Sequence, residues 1–119
     1  MKGLRTALGV VRHGRPKWYQ LQRYALTKPL IYETKDGVVI TVPKGFITNF
    51  ATWIKPRGRY EIAAVLHDWL YTKRGRRVYG MSRHMADKIF KEVMRRAGCS
   101  QARINMMYYG VRLFGWMAW

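Results

Sequence analysis

The chain has 119 residues, of which 49% are hydrophobic and 14% aromatic. This fits one globular domain, because a single core typically takes about 100–150 residues. Lys and Arg number 23 against 6 Asp and Glu, which gives a net charge of +17. Self-repulsion at that charge costs folding free energy, so we expect a polyanionic or acidic partner. The single cysteine, Cys99, excludes an intramolecular disulfide and a multi-thiolate zinc site, and indicates synthesis in a reducing cytosol.

The N-terminal half predicts a basic arm followed by a small antiparallel sheet. Residues 1–17 are rich in Lys, Arg and Gly without a sustained period, which is typical of an arm that only a partner orders. The remainder, residues 18–119, is predicted to be a single compact domain. Three runs of aromatic and β-branched residues predict strands: 18–26, 30–32 and 38–42. Asp36-Gly37 between the last two predicts a hairpin, and the apolar loop at 43–58 is expected to fold over the core.

The C-terminal half predicts three helices. Three segments carry apolar residues at helical spacing: 60–72, 83–97 and 101–114. Ser82 and Ser100 are the predicted N-caps of the second and third helices, Gly98 ends the second, and a basic turn is expected at 73–77. The predicted fold class is therefore α+β, with the small N-terminal antiparallel sheet followed by three packed helices.

Four side chains of the first two predicted helices can border one site. His67 and Tyr71 are four residues apart and share a helix face, while Asp68 lies one step around the helix. If these helices are neighbours, Asp87 of the second reaches His67 and orients its imidazole for general base catalysis. The plainer interpretation is a buried structural histidine, with Asp87 in an ordinary helix ion pair to Lys91.

Four motifs in a fixed order resemble a known family. They are GFITNFAT at 45–52, AAVLHDWLY at 63–71, Ser-Arg with Ala-Asp within 82–87, and YYGVRLFG at 108–115. Together they resemble a small domain of unknown function found in tailed phages and prophages, over about residues 18–116. The chain has Asn49 and Thr52 where that family usually has Asp and Ser, so a negative ligand is lost if that Asp binds a cation.

The phage resemblance implies where the protein works but no activity. It implies synthesis in the cytoplasm of a bacterial host and a place in the virion. The implied partners are phage virion proteins, DNA or both, within an oligomeric assembly.

A remoter similarity connects the His-Asp-x-x-Tyr helix with phospholipase A2. By that resemblance His67 is the general base that activates water, Asp87 orients it, and Tyr71 adds a supporting hydrogen bond. Asp68 is then a calcium ligand, so calcium is the expected cofactor of such a hydrolase, and no cofactor is expected otherwise. The Gly-rich loop that completes the calcium site of that enzyme class has no match here, and calcium takes six to eight oxygens.

Basic residues of the turn and the second helix form a candidate surface for nucleic acid or an acidic partner. They are Lys73, Arg74, Arg76, Arg77, Lys88, Lys91, Arg95 and Arg96. Such a row can follow a phosphate backbone, but the chain has no motif that reads base sequence, so contact with DNA is expected to be nonspecific.

The chain ends in large apolar side chains, and Trp116, Met117 and Trp119 are candidate interface residues. Packing on their own domain is the first expectation, a protein interface the second and an anionic membrane surface the third.

Three functions remain open, in the following order of preference, so that a noncatalytic role is favoured. A noncatalytic phage accessory or virion structural protein explains the charge and both ends of the chain. A phospholipase A2-like hydrolase acting on lipids of the host envelope explains His67, Asp68, Tyr71 and Asp87. A nonspecific DNA-binding protein explains the charge alone.

Overall fold

The structure is a computed structural model that describes residues 1–18, 22–48, 61–117 and 119. Within these residues five strands come first and four helices follow, which confirms the predicted α+β class. The last helix continues into a 3-10 turn, Gly115–Met117. None of the helices described is long and apolar enough to cross a membrane.

The strands form two antiparallel sheets. They are β1 (Val10–His13), β2 (Arg23–Leu26), β3 (Leu30–Glu33), β4 (Val39–Val42) and β5 (Ile47–Thr48). One sheet has the order β1-β2-β5 and the other is the hairpin β3-β4. The sequence predicted one sheet, because local patterns show where strands lie but not which strands pair.

Strand β1 lies inside the segment that the sequence predicted as a basic arm, residues 1–17. Val10 pairs with Leu26 and His13 pairs with Arg23, so this part of the segment is ordered by the chain's own β2. Only two apolar residues, Val10 and Val11, mark the strand, which is too short an alternation to recognise in a sequence.

The predicted hairpin at Asp36-Gly37 is confirmed. The Thr34 N–H donates to the Val38 carbonyl at 2.9 Å, and Gly37 adopts a φ of +84°, which suits glycine. Alternate residues of the hairpin are buried, with Tyr32 and Ile40 paired across it and fully enclosed. One face of the hairpin therefore belongs to the core.

The four helices are α1 (Glu61–Leu70), α2 (Lys73–Tyr79), α3 (Arg83–Arg96) and α4 (Gln101–Phe114). The predicted caps are confirmed: Ser82 accepts a hydrogen bond from the Met85 N–H at 3.2 Å, and Ser100 accepts one from the Arg103 N–H at 3.3 Å. Gly98 follows α3 with a φ of +85°.

The predicted basic turn at 73–77 is wrong, because these residues begin helix α2. Thr72 caps it by accepting a hydrogen bond from the Gly75 N–H at 3.0 Å, and Gly80 ends it in the left-handed conformation. A side chain at Gly75 would place its Cβ 2.1 Å from the Trp69 carbonyl, so glycine lets α2 turn tightly against the end of α1. The helix has no apolar stripe, which explains why hydrophobic periodicity missed it.

Helix α1 is the centre of the molecule. It packs against α3, α2 and β4, and α3 in turn packs against α4. Its enclosed residues cover every side of the helix: Ala63, Ala64, Val65, Leu66 and Leu70. A helix buried on all sides is ordinarily apolar throughout, so a histidine within it needs a polar partner.

Candidate active site

The buried histidine of α1 meets the buried aspartate of α3. The His67 Nε2 lies 2.8 Å from the Asp87 Oδ1, with the His67 side chain 7% exposed and Asp87 fully enclosed. The sequence predicts that His67, Asp68 and Asp87 converge, and the meeting of His67 with Asp87 is confirmed. The contact follows from the packing of α1 against α3, which places both polar side chains in the buried interface between the two helices.

Asp87 accepts hydrogen bonds at both carboxylate oxygens. The Tyr71 hydroxyl donates to Oδ1 at 2.5 Å, and the Arg112 Nη1 of α4 donates to Oδ2 at 2.9 Å. The Arg83 Nη1, one turn before Asp87 on α3, lies 3.5 Å from Oδ2. Three helices therefore converge on one carboxylate.

Arg83 and Arg112 are functional candidates that the sequence reasoning did not assign to the site. Arg83 stands four residues before Asp87, a spacing at which helix ion pairs form, so that signal was present. The Arg83 guanidinium also donates to the carbonyl of Val111 at 3.0 Å and so fastens α3 to α4. No local pattern could place Arg112 at the site, because it lies in α4, 25 residues after Asp87.

The network keeps Asp87 charged and Tyr71 neutral. Burial alone would raise the pKa of Asp87, but hydrogen bonds from His67, Tyr71 and Arg112 outweigh it and hold the pKa below its ordinary range. Burial, together with the hydrogen bond to Asp87, raises the pKa of the Tyr71 hydroxyl. Near neutral pH, Asp87 is therefore an acceptor and Tyr71 a donor.

These protonation states fix the role of each histidine nitrogen. Since ionised Asp87 can only accept, the proton of a neutral His67 ring lies on Nε2 and the lone pair on Nδ1. Within the part of the chain that the structure describes, Asp87 is the ring's only hydrogen-bond partner. The ring lies 4.1 Å from the Tyr71 ring and 4.8 Å from the Phe90 ring, measured between centroids, which fixes its plane. The arrangement can hold an oriented base.

Asp68 contacts a different element. Its Oδ2 accepts a hydrogen bond from the Thr48 hydroxyl of β5 at 2.5 Å. No cluster of three or more His, Cys, Asp or Glu residues suited to a metal occurs in the described residues, whereas calcium takes six to eight oxygens. The donors around Asp68 that the structure describes do not fit a calcium site. Asn49 and Thr52, at which the sequence departs from the motif that it resembles, lie outside the described residues.

The last residue packs on its own domain. The Trp119 ring meets the Tyr71 ring edge to face at 5.2 Å between centroids, and the Arg76 guanidinium lies 4.4 Å from the Trp119 ring centroid. Trp119, predicted as an interface residue, thus makes intramolecular contacts that support Tyr71. The other two interface candidates, Trp116 and Met117, are 64% and 66% exposed.

The predicted basic surface divides into outward and inward residues. Five of its members are exposed: Lys73, Arg74, Arg77, Lys88 and Arg95. Lys91 is half-buried, with its ammonium 4.8 Å from the centroid of the Tyr108 ring. Arg96 donates to the Tyr32 hydroxyl and to the Glu33 carbonyl, both at 3.1 Å, and Arg76 stacks on Trp119. The last two arginines therefore hold the fold together.

Comparisons with known proteins give a family without an activity. Searches of curated proteins and of solved structures gave no match. A family model described as "Protein of unknown function (DUF1353)" matches residues 24–111. The match includes His67, Asp68, Tyr71 and Asp87, but neither β1 nor Arg112. It covers most of the chain, and the protein therefore belongs to the DUF1353 family.

Proposed function

We propose that this protein is a hydrolase in which His67 activates water for attack on a lipid ester of a bacterial envelope. The observation that carries the proposal is the 2.8 Å contact between the His67 Nε2 and the buried, ionised Asp87. A carboxylate that holds one imidazole nitrogen leaves the other free to accept a proton. The substrate class follows from the similarity of this helix to that of phospholipase A2.

The proposed reaction needs one water molecule and one ester. A water bound at the His67 Nδ1 gives its proton to the ring as its oxygen attacks the ester carbonyl. The imidazolium then returns that proton to the departing alkoxide, so that a carboxylic acid and an alcohol leave. Asp87 keeps its negative charge throughout and stabilises the positively charged ring that forms between the two steps.

The remaining members of the network position Asp87. Tyr71 binds one of its oxygens and Arg112 binds the other, which prevents the carboxylate from rotating away from His67. Arg112 also offsets part of its charge, because the guanidinium lies 2.9 Å from Oδ2. Tyr71 and Arg112 are positioning residues.

The test is release of fatty acid from mixed phospholipid vesicles, measured with calcium and with a chelator. His67→Asn should lower the rate by at least ~100-fold, since a positioned general base contributes about 10²–10⁴. His84→Asn, which changes an exposed histidine of α3, is the matched control and should keep the wild-type rate. No release by the wild type in either condition, or equal rates in the wild type and His67→Asn, would contradict the proposal.

A second role is favoured by the exposed basic residues of α2 and α3. We propose that they bind a polyanion or acidic neighbours in an assembly, because a charge of +17 requires compensation. The phage origin and the place in the virion, implied by the motif resemblance, belong to this proposal. Mass spectrometry of purified virions tests them: detection supports a virion component, and absence from the particle contradicts it.

A further inference from the structure

Helix α4 has two apolar faces, and only one of them is buried. Ile104, Met107 and Val111 face the core. A second set begins with Met106, Tyr109 and Leu113, at intervals of three or four residues, and continues into the 3-10 turn with Trp116 and Met117. Each of these five side chains is 60–66% exposed. We call this set the outer stripe. An exposed apolar surface of this kind marks an interaction site, because the second apolar face of the helix is removed from water only when a binding partner packs on it.

The charges around the outer stripe favour an anionic binding partner. Residues 93–119 contain no Asp or Glu, and two of their four arginines, Arg95 and Arg103, are exposed. The other two, Arg96 and Arg112, are bound within the domain. Lys91 lies against the Tyr108 ring, so α3 adds a cation beside α4. A second copy of the chain would bring another charge of +17 to the contact, which opposes self-association. A nucleic acid offers phosphates but no apolar layer for Met106 and Leu113.

An anionic bilayer surface satisfies both requirements. Its headgroups attract Lys and Arg, while the boundary of its acyl chains accepts Leu, Met and Trp side chains. We propose that the outer stripe docks this protein on anionic phospholipid. The proposal deepens the proposed lipid hydrolysis, and rests on it for the identity of the substrate, by stating how the protein reaches the membrane.

The outer stripe also adjoins the His67 network. A Cβ at Gly115 would lie 2.5 Å from the Tyr71 hydroxyl, so the turn that carries Trp116 packs directly on Tyr71. Tyr71 in turn donates to Asp87. Docking through Trp116 would therefore bring the lipid layer to the neighbourhood of the proposed active site.

The experiment is cosedimentation of the full chain with vesicles of phosphatidylcholine alone or mixed in equal parts with phosphatidylglycerol. The wild type should bind the mixed vesicles more tightly, and added salt should weaken that binding. The variant Leu113→Ser/Trp116→Ser should bind at least ~100-fold more weakly, at about tenfold for each apolar side chain removed from the lipid. The matched control is Val11→Ser/Trp18→Ser, which removes a 55% exposed valine and a 95% exposed tryptophan elsewhere and should bind as the wild type does.

Equal binding by the wild type and Leu113→Ser/Trp116→Ser would overturn the docking proposal. So would a wild-type dimer that this variant dissociates while vesicle binding is unchanged, since the cover would then be a second copy. Hydrolysis is separated by His67→Asn, which should bind vesicles as the wild type does. Vesicle binding without fatty-acid release by the wild type refutes the hydrolase and keeps the docking surface.

Discussion

The free energy that Asp87 contributes to folding can be worked out from its four neighbours. In Asp87→Asn, an amide oxygen at the Oδ1 position keeps the hydrogen bonds from His67 and Tyr71. The amide NH₂ then replaces Oδ2 and faces the Arg112 guanidinium, which lies 2.9 Å from that oxygen in the wild type. A donor meets a donor there, and the charge of Arg112 loses its counterion.

The expected cost is about 2–4 kcal/mol. Removing one partner of a buried ion pair typically costs about 3–5 kcal/mol, and a hydrogen bond to a charged group contributes about 1.5–3 kcal/mol. The lower part of that range applies, because Arg112 and Arg83 are 29% and 21% exposed and water partly solvates them once Asp87 is neutral.

Urea unfolding followed by circular dichroism measures this free energy. Arg112→Met and the double variant complete a cycle whose coupling energy should be about 1–3 kcal/mol. Asp36→Asn, in the exposed hairpin turn, is the matched control and should stay within about 0.5 kcal/mol of the wild type. The reasoning would be refuted if Asp87→Asn also stayed within about 0.5 kcal/mol of the wild type. It would equally be refuted if the effects of Asp87→Asn and Arg112→Met on the free energy of unfolding simply added in the double variant.

Three further predictions follow from the same contacts and charges. Because folding lowers the pKa of Asp87, its stabilisation is complete above its ordinary pKa of about 4 and is lost as the pH falls through the lower value of the folded chain. The free energy of unfolding should therefore drop in acid, and Asp87→Asn should show a shallower drop; parallel curves would contradict the assignment. Gly115→Ala should lower the free energy of unfolding in urea by about 1–2 kcal/mol, because its methyl group displaces the Tyr71 hydroxyl. Unchanged stability would show that the Tyr71 side chain can move aside without cost. The protein should bind duplex DNA without sequence preference, and its affinity should fall steeply as the salt concentration rises, because counterions are released on binding. An affinity that does not change with salt would assign the exposed lysines and arginines to another partner.

Elements with a strong local signal were predictable from the sequence. Helices α3 and α4 combine an apolar stripe, which indicates the helix, with a serine cap at Ser82 and Ser100, which indicates where it begins. Helix α2 has a cap at Thr72 but no stripe, and strand β1 has only two apolar residues. Both depend on contacts with neighbouring elements, which a local pattern does not contain.

The candidate site divides in the same way. The separation of His67 and Tyr71 is fixed by helix geometry. Both side chains carry polar groups in apolar surroundings, and these groups need hydrogen-bond partners. Asp87 was the predictable partner, because it is the only acidic residue in the first half of α3. The contributions of Arg112 and Trp119 required the packing of α4, because they come from residues 25 or more positions beyond Asp87.

The protonation of His67 tests the central claim most directly. Nitrogen-15 NMR of the labelled imidazole at neutral pH distinguishes a ring protonated at Nε2 from one protonated at Nδ1. We predict the proton on Nε2, donated to Asp87, and the lone pair on Nδ1, with that preference weakened in Asp87→Asn. A proton on Nδ1 in the wild type would leave no base to accept a proton from water and would contradict the proposed role of His67.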